Sequence, residues 1–181
     1  MNANIRKGTH MNKTWKPKDP VLVLRSCRID GTSQNGFTWP KKGYVEAPDF
    51  DPKPVCGKKL HGLLLGQNNP GAWYDLGIVQ VVQVERSEII TGAGDLVGKC
   101  GFPRCLVVYS GDMVGASAYF EKHGSAEGLY GRVSIGGDGS ILTGGYGSIL
   151  TGGDRSTLTG GHCSTLTEGH GSKLTGGRGS T

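Results

Sequence analysis

Four side chains of metal-binding type, Cys56, His61, Cys100 and Cys105, stand in two pairs, each five residues apart. Sulfur and imidazole in that number suit a tetrahedral zinc, but structural zinc sites usually use tighter C-x2-C pairs. Small cysteines are also common residues of a β core. The spacing is read as no metal site. Ala93 to Cys100, AGDLVGKC, mimics a phosphate-binding loop, yet Ala93 replaces the first glycine and Cys100 replaces the hydroxyl residue that would hold magnesium. It reads as a glycine-rich turn. The five histidines form no recognisable nucleophile and base arrangement. The chain is therefore expected to be no enzyme and to use no cofactor.

The remaining candidates are hydroxyls in rows. From Gly136 onward the chain repeats every eight residues: GGDGSILT, GGYGSILT, GGDRSTLT, GGHCSTLT, EGHGSKLT and GGRGST. The glycine at the second position suggests a tight corner, and the following Ser, Ile, Leu and Thr suggest a short strand. Side chains alternate along a strand, so the Ser at position five and Leu142, Leu150, Leu158, Leu166 and Leu174 at position seven share one face, read as the inside. Positions six and eight then face outward. Position eight is threonine in every complete octad: Thr143, Thr151, Thr159, Thr167 and Thr175. In two octads position six is threonine as well, which makes the pairs Thr157/Thr159 and Thr165/Thr167. A calcium reading is disfavoured. Nonapeptide repeats that bind calcium present an oxygen ligand in each unit, whereas position three here runs Asp138, Tyr146, Asp154, His162, His170, Arg178.

The elements that must carry these rows follow from composition. Residues 1–20 are polar and basic and are expected to be a disordered tail. Residues 21–123 hold apolar segments bounded by turn residues, VLVLRSC, GFTWP with GYVEA, LHGLLLG, WYDLGIVQVVQVERSEII and LVVYSGD. GASAYFEKHG is the one plausible helix. They are read as one small mixed domain, mostly β. Residues 124–135 contain GLYGRVSI, a worn first repeat, and 136–181 form the repeat region.

The net charge of +5 does not indicate nucleic acid. Five basic residues against one acidic fall in residues 1–19, whereas 20–135 carry twelve against eleven and 136–181 three against three. The single Arg of the last GGRGST has no aromatic platforms beside it. Five cysteines, an odd number, and an N-terminus without an apolar run favour reduced thiols. No stretch approaches the length of a membrane-spanning helix.

In order and spacing, VLVLRSC, FTWP with GYVEA, HGLLLG, GK-x-x-FPR-x-LVVYSGD and GASAYF resemble the N-terminal domain of bacterial ice nucleation proteins. The octads resemble the AGYGSTxT and AGxxSxLT repeats of the same family. The resemblance implies a β-solenoid of sixteen residues per coil whose outward Thr-x-Thr rows order water. The geometry suits that role, since alternate threonines lie about 6.6–6.8 Å apart along a strand and stacked strands repeat at about 4.8 Å. It also implies self-association, by likeness to the family's C-terminal coils, through basic positions, here Arg155, His162, His170, Lys173 and Arg178, with Tyr146 on the same edge as His162 and Arg178. Cell-surface or outer-membrane association follows from the resemblance alone. A cytoplasmic protein is the alternative.

Two octads per coil place Ile141/Thr143, Thr157/Thr159 and Lys173/Thr175 on one face, and Ile149/Thr151, Thr165/Thr167 and Thr181 on the other. Each face has one complete Thr-x-Thr row. Thr143, Thr151, Thr157, Thr159, Thr165, Thr167 and Thr175 are the candidate water-contact residues. The sequence thus supports ice binding, or nucleation after multimerisation, beside a rival reading as a non-catalytic assembly module without ice activity.

Overall fold

The computed structural model describes residues 14–33, 35–67, 77–92, 96–123 and 126–181. Residues 1–13 of the basic tail, Trp73 to Leu76 of the WYDLGIVQVVQVERSEII run and Ala93 to Asp95 of the AGDLVGKC turn lie outside the described residues. The protein is mainly β, with antiparallel and parallel sheets and one helix. It divides into two compact units, Met1–Leu64 with Gly71–Asp112, and Leu65–Pro70 with Met113–Thr181.

The first unit is an antiparallel sheet of six strands: β1 (Pro20–Arg28), β2 (Gly43–Glu46), β3 (Leu60–Leu64), β4 (Gly77–Glu85), β5 (Cys100–Phe102) and β6 (Arg104–Gly111). Their order across the sheet is β2-β6-β4-β1-β3-β5. The two longest strands, β1 and β4, are adjacent and pair over nine positions, from Pro20 opposite Glu85 to Arg28 opposite Gly77. Both are rich in Val and Leu, residues that fit a pleated surface. Val21 to Leu24 and Val81 to Val82 are buried without alternation, so both faces of the central strands are covered. The GFTWP segment forms only a bridge, between Thr32 and Thr38. The sequence pattern does not single out β5, because three residues are too short to show a period.

Residues 14–19, expected from the sequence to be the end of a disordered tail, lie against this sheet. The Trp15 ring meets Tyr44 edge-on at 5.6 Å, Arg104 lies 5.1 Å from the Trp15 ring centre, and Asp19 pairs with Arg86 at 2.9 Å. A large aromatic ring has apolar area to bury even in a basic segment.

The second unit holds α1 (Met113–Lys122) and six three-residue strands: β7 (Val133–Ile135), β8 (Ile141–Thr143), β9 (Ile149–Thr151), β10 (Thr157–Thr159), β11 (Thr165–Thr167) and β12 (Lys173–Thr175). Alternate strands pair in parallel, giving one sheet ordered β8-β10-β12 and another ordered β7-β9-β11. GLYGRVSI keeps the octad frame, with Val133 opposite Ile149 and Ile135 opposite Thr151. Leu142, Leu150, Leu158 and Leu166 form a buried cluster. Leu174 departs from the expected inward set and is 41% exposed, because the leucine cluster ends at Leu166 and the following GGRGST brings no further leucine against it.

At the other end of the stack, Arg132 and Ser134 occupy the positions that Ser and Leu hold in the octads. The helix α1 supplies their partners. Glu121 accepts from Arg132 Nη2 at 2.9 Å and from the Ser134 hydroxyl at 2.6 Å, and Ser117 Oγ accepts the Val133 N–H at 3.0 Å. One backbone N–H on the open edge of β7 is thereby satisfied.

Candidate functional site

The threonine rows depend on how each octad turns. Position four, not position two, carries the left-handed backbone: Gly139, Gly147, Gly171 and Gly179 have φ between 67° and 74°, and Arg155 and Cys163 adopt 57° at the same place. Position two is glycine for a different reason, since it faces the backbone of the preceding same-side octad. A Cβ on Gly153 would lie 2.7 Å from the Asp138 N, and one on Gly161 would lie 2.6 Å from the Gly145 carbonyl carbon. The expected corner at position two is thus a close approach, and the corner itself falls two residues later.

Serine at position five links successive turns. Ser148, Ser156 and Ser164 are essentially inaccessible. Ser148 N–H donates to Ser164 Oγ at 3.2 Å, Ser156 N–H to Ser172 Oγ at 3.0 Å, and Ser164 N–H to Ser180 Oγ at 3.2 Å. The same hydroxyls donate onward, Ser164 to Gly145 O, Ser172 to Gly153 O and Ser180 to Gly161 O, at 3.0 to 3.3 Å. The hydroxyls of Ser164, Ser172 and Ser180 therefore use both donor and acceptor capacity, while those of Ser148 and Ser156 donate to Gly145 O and Gly137 O.

With the turns held, the outward residues align in columns. Thr157 lies between Ile141 and Lys173, and Thr159 between Thr143 and Thr175. On the other sheet Thr165 lies beside Ile149, and Thr167 beside Thr151. Thr143, Thr151, Thr157 and Thr159 are half-buried, whereas Thr165, Thr167 and Thr175 are exposed. Ile141 and Ile149 stand exposed in the same faces. What results is two narrow columns of hydroxyl and methyl groups with apolar and basic neighbours.

Position three forms the two edges. Tyr130 and Tyr146 stack with centres 5.5 Å apart, and His162 Nδ1 accepts the Arg178 N–H at 2.9 Å. On the opposite edge Asp138 Oδ1 accepts the Asp154 N–H at 3.0 Å, and Asp154 Oδ1 accepts the His170 N–H at 2.7 Å. Arg155, His162, His170, Lys173 and Arg178 are exposed and Tyr146 is half-buried. Sequence reasoning missed the use of Asp138, Asp154 and His162 as ladder acceptors. A short polar side chain immediately before a left-handed residue in several octads is the signal that could have found them.

The chain is similar to ice nucleation proteins. It is 29% identical over 108 residues to "Ice nucleation protein InaU" of Pantoea ananas and, at the same identity and length, to an "Ice nucleation protein" of Enterobacter agglomerans; each match covers 59% of this chain. The aligned part amounts to 10% of the first relative and 8% of the second, so the chain spans about a tenth of the length of the curated relatives it matches. No family model and no solved structure matches.

The other chemical candidates do not assemble. Among the described residues no three His, Cys, Asp or Glu side chains gather as a metal site. His61 and Cys100 lie on the paired strands β3 and β5, but Cys105 is buried on β6. Burial pushes the thiols of Cys27, Cys100 and Cys105 up, that of Cys100 to about 12, which keeps them protonated and poor ligands. No disulfide joins any two of the five cysteines. Among the described residues no helix is long and apolar enough to cross a membrane.

Proposed function

We propose that the octads form a short β-solenoid, and that the threonine columns contact ordered water, giving ice binding or, after self-association, ice nucleation. The observation that carries this reading is the i to i+16 pairing that stacks Thr143, Thr159 and Thr175 on one sheet and Thr151 and Thr167 on the other. A regular array of methyl and hydroxyl groups at strand spacing is a surface on which water can take a fixed arrangement. The similarity to ice nucleation proteins supports the same reading. The protein acts without catalysis and without a cofactor, and its family likeness suggests a place at the cell surface.

A second reading, an assembly module without ice activity, is favoured by the interruption of both faces. Ile141 is 78% exposed beside Thr157, and Lys173 follows on the other side. Droplet freezing of the purified chain beside its Thr159→Lys/Thr167→Lys variant separates the two. Ice contact predicts freezing above buffer in the parent and a fall toward buffer in the variant at unchanged particle size. Equal freezing of both proteins overturns the water-contact assignment.

A further inference from the structure

The first unit contains a cavity of about 360 Å³ lined by its own residues. It lies between β1, β3 and the loops around them, and Arg25, Trp39, Asp49, Lys58, Lys59, His61 and Lys99 are among the residues that line it. Arg25 is 6% exposed. Its guanidinium lies 3.4 Å from the Trp39 ring centre and donates through Nη1 to Gln80 Oε1. Gln80, opposite Arg25 on β4, is itself oriented by donating to Pro40 O at 2.8 Å. These partners are neutral. No carboxylate among the described residues pairs with Arg25, although a buried cation without a counter-charge costs several kcal/mol. Burial lowers its pKa only to about 10, so it keeps its charge at neutral pH.

Two nitrogens of residues that line the cavity, Arg25 Nε and His61 Nε2, are buried without a hydrogen-bond partner. Lys59 is held in place by donating to Val55 O at 2.8 Å and Gly57 O at 3.1 Å, which leaves one of its three N–H groups for another acceptor. Arg25, Lys58, Lys59 and Lys99 therefore border the cavity against one carboxylate, Asp49. This excess is more than a single carboxylate ligand would neutralise, and a phosphate monoester, with a charge of about −2, offsets most of it. The volume also suits a small metabolite rather than a lone ion.

We propose that this cavity binds a small phosphate-bearing molecule, whose phosphate supplies the counter-charge that the described residues withhold from Arg25. Lys59, Lys99 and His61 border the same charge, and the stacked Trp39 holds the guanidinium in orientation. The site is separate from the octads, so its fate does not depend on the reading of the threonine columns.

The test is calorimetric titration of the full chain with inorganic phosphate, with acetate as a parallel probe, while the His61 ring signals are followed by NMR. Saturable one-site phosphate binding with Kd of about 1 mM or tighter, a shift at His61 and no comparable acetate binding are expected. Arg25→Met should fold at least as well as the parent and bind at least tenfold more weakly. Lys99→Ala, a change outside the sheet core, should weaken binding several-fold and decides the matter if Arg25→Met does not fold. Absence of saturable phosphate binding, acetate binding of equal strength, or affinity unchanged in the folded variants would overturn the proposal.

Discussion

The hydroxyl oxygen of Ser164 accepts the backbone N–H of Ser148, sixteen residues earlier, at 3.2 Å, inside a stack where both residues are almost inaccessible. This bond ties one turn to the next without any contribution from the strands' own ladder. Ser164→Ala would leave a buried N–H without an acceptor, so a loss of about 1–3 kcal/mol is expected in chemical denaturation. A change within a few tenths of a kcal/mol would show that water or a neighbouring carbonyl replaces the hydroxyl.

Glycine at position two makes a sharper contrast. Gly153→Ala would set a Cβ 2.7 Å from the Asp138 N, against backbone that cannot move without opening the pairing. Gly137→Ala meets nothing within 4 Å. The first variant should lower the melting temperature markedly and the second hardly at all. Equal effects would refute close approach as the reason for this glycine.

The basic positions bear on assembly. Arg155, Lys173 and Arg178 are exposed, and the Arg178 contact with His162 runs through the backbone, so replacing all three by Ser should leave the monomer folded. Light scattering should then report smaller particles, and droplet freezing should move toward buffer. An unchanged particle size would remove these residues from any assembly surface.

Protonation of His61 should weaken the fold. Burial, with Lys99, Lys59 and Arg25 nearby, lowers its pKa from 6.5 to about 4, so between those values the unfolded chain binds a proton that the folded chain does not. Stability is therefore fully retained above pH 6.5 and falls as pH drops toward 4, by on the order of 1–3 kcal/mol. The depressed carboxyls of Asp30 and Asp51 act in the same direction, but only below their ordinary value of 3.8. Denaturation curves at pH 7 and 4.5 for the parent and His61→Gln check this. A pH response of equal size in the two proteins would assign the effect elsewhere.

The octad frame is legible in the sequence because its signals are local. A period of eight, strand alternation and a recurring leucine suffice to predict which residues share a face. The pairing of Thr157 with Ile141 and Lys173 follows the same two-octad frame. The long apolar runs of β1 and β4 are likewise readable, since Val and Leu pack well on a pleated sheet. Other features depend on which distant segments become neighbours. The exposure of Leu174 comes from the lack of a further leucine packed beyond it, and the use of Asp138 Oδ1 comes from the backbone that lies beside it one coil later. Arg25, His61 and Lys99 meet only because β1, β3 and the approach to β5 are adjacent in the order of the sheet. Residue types set the local geometry of strand and turn. Sheet order was decided by the burial of the whole chain, a sum over contacts between distant segments that no short window of sequence contains.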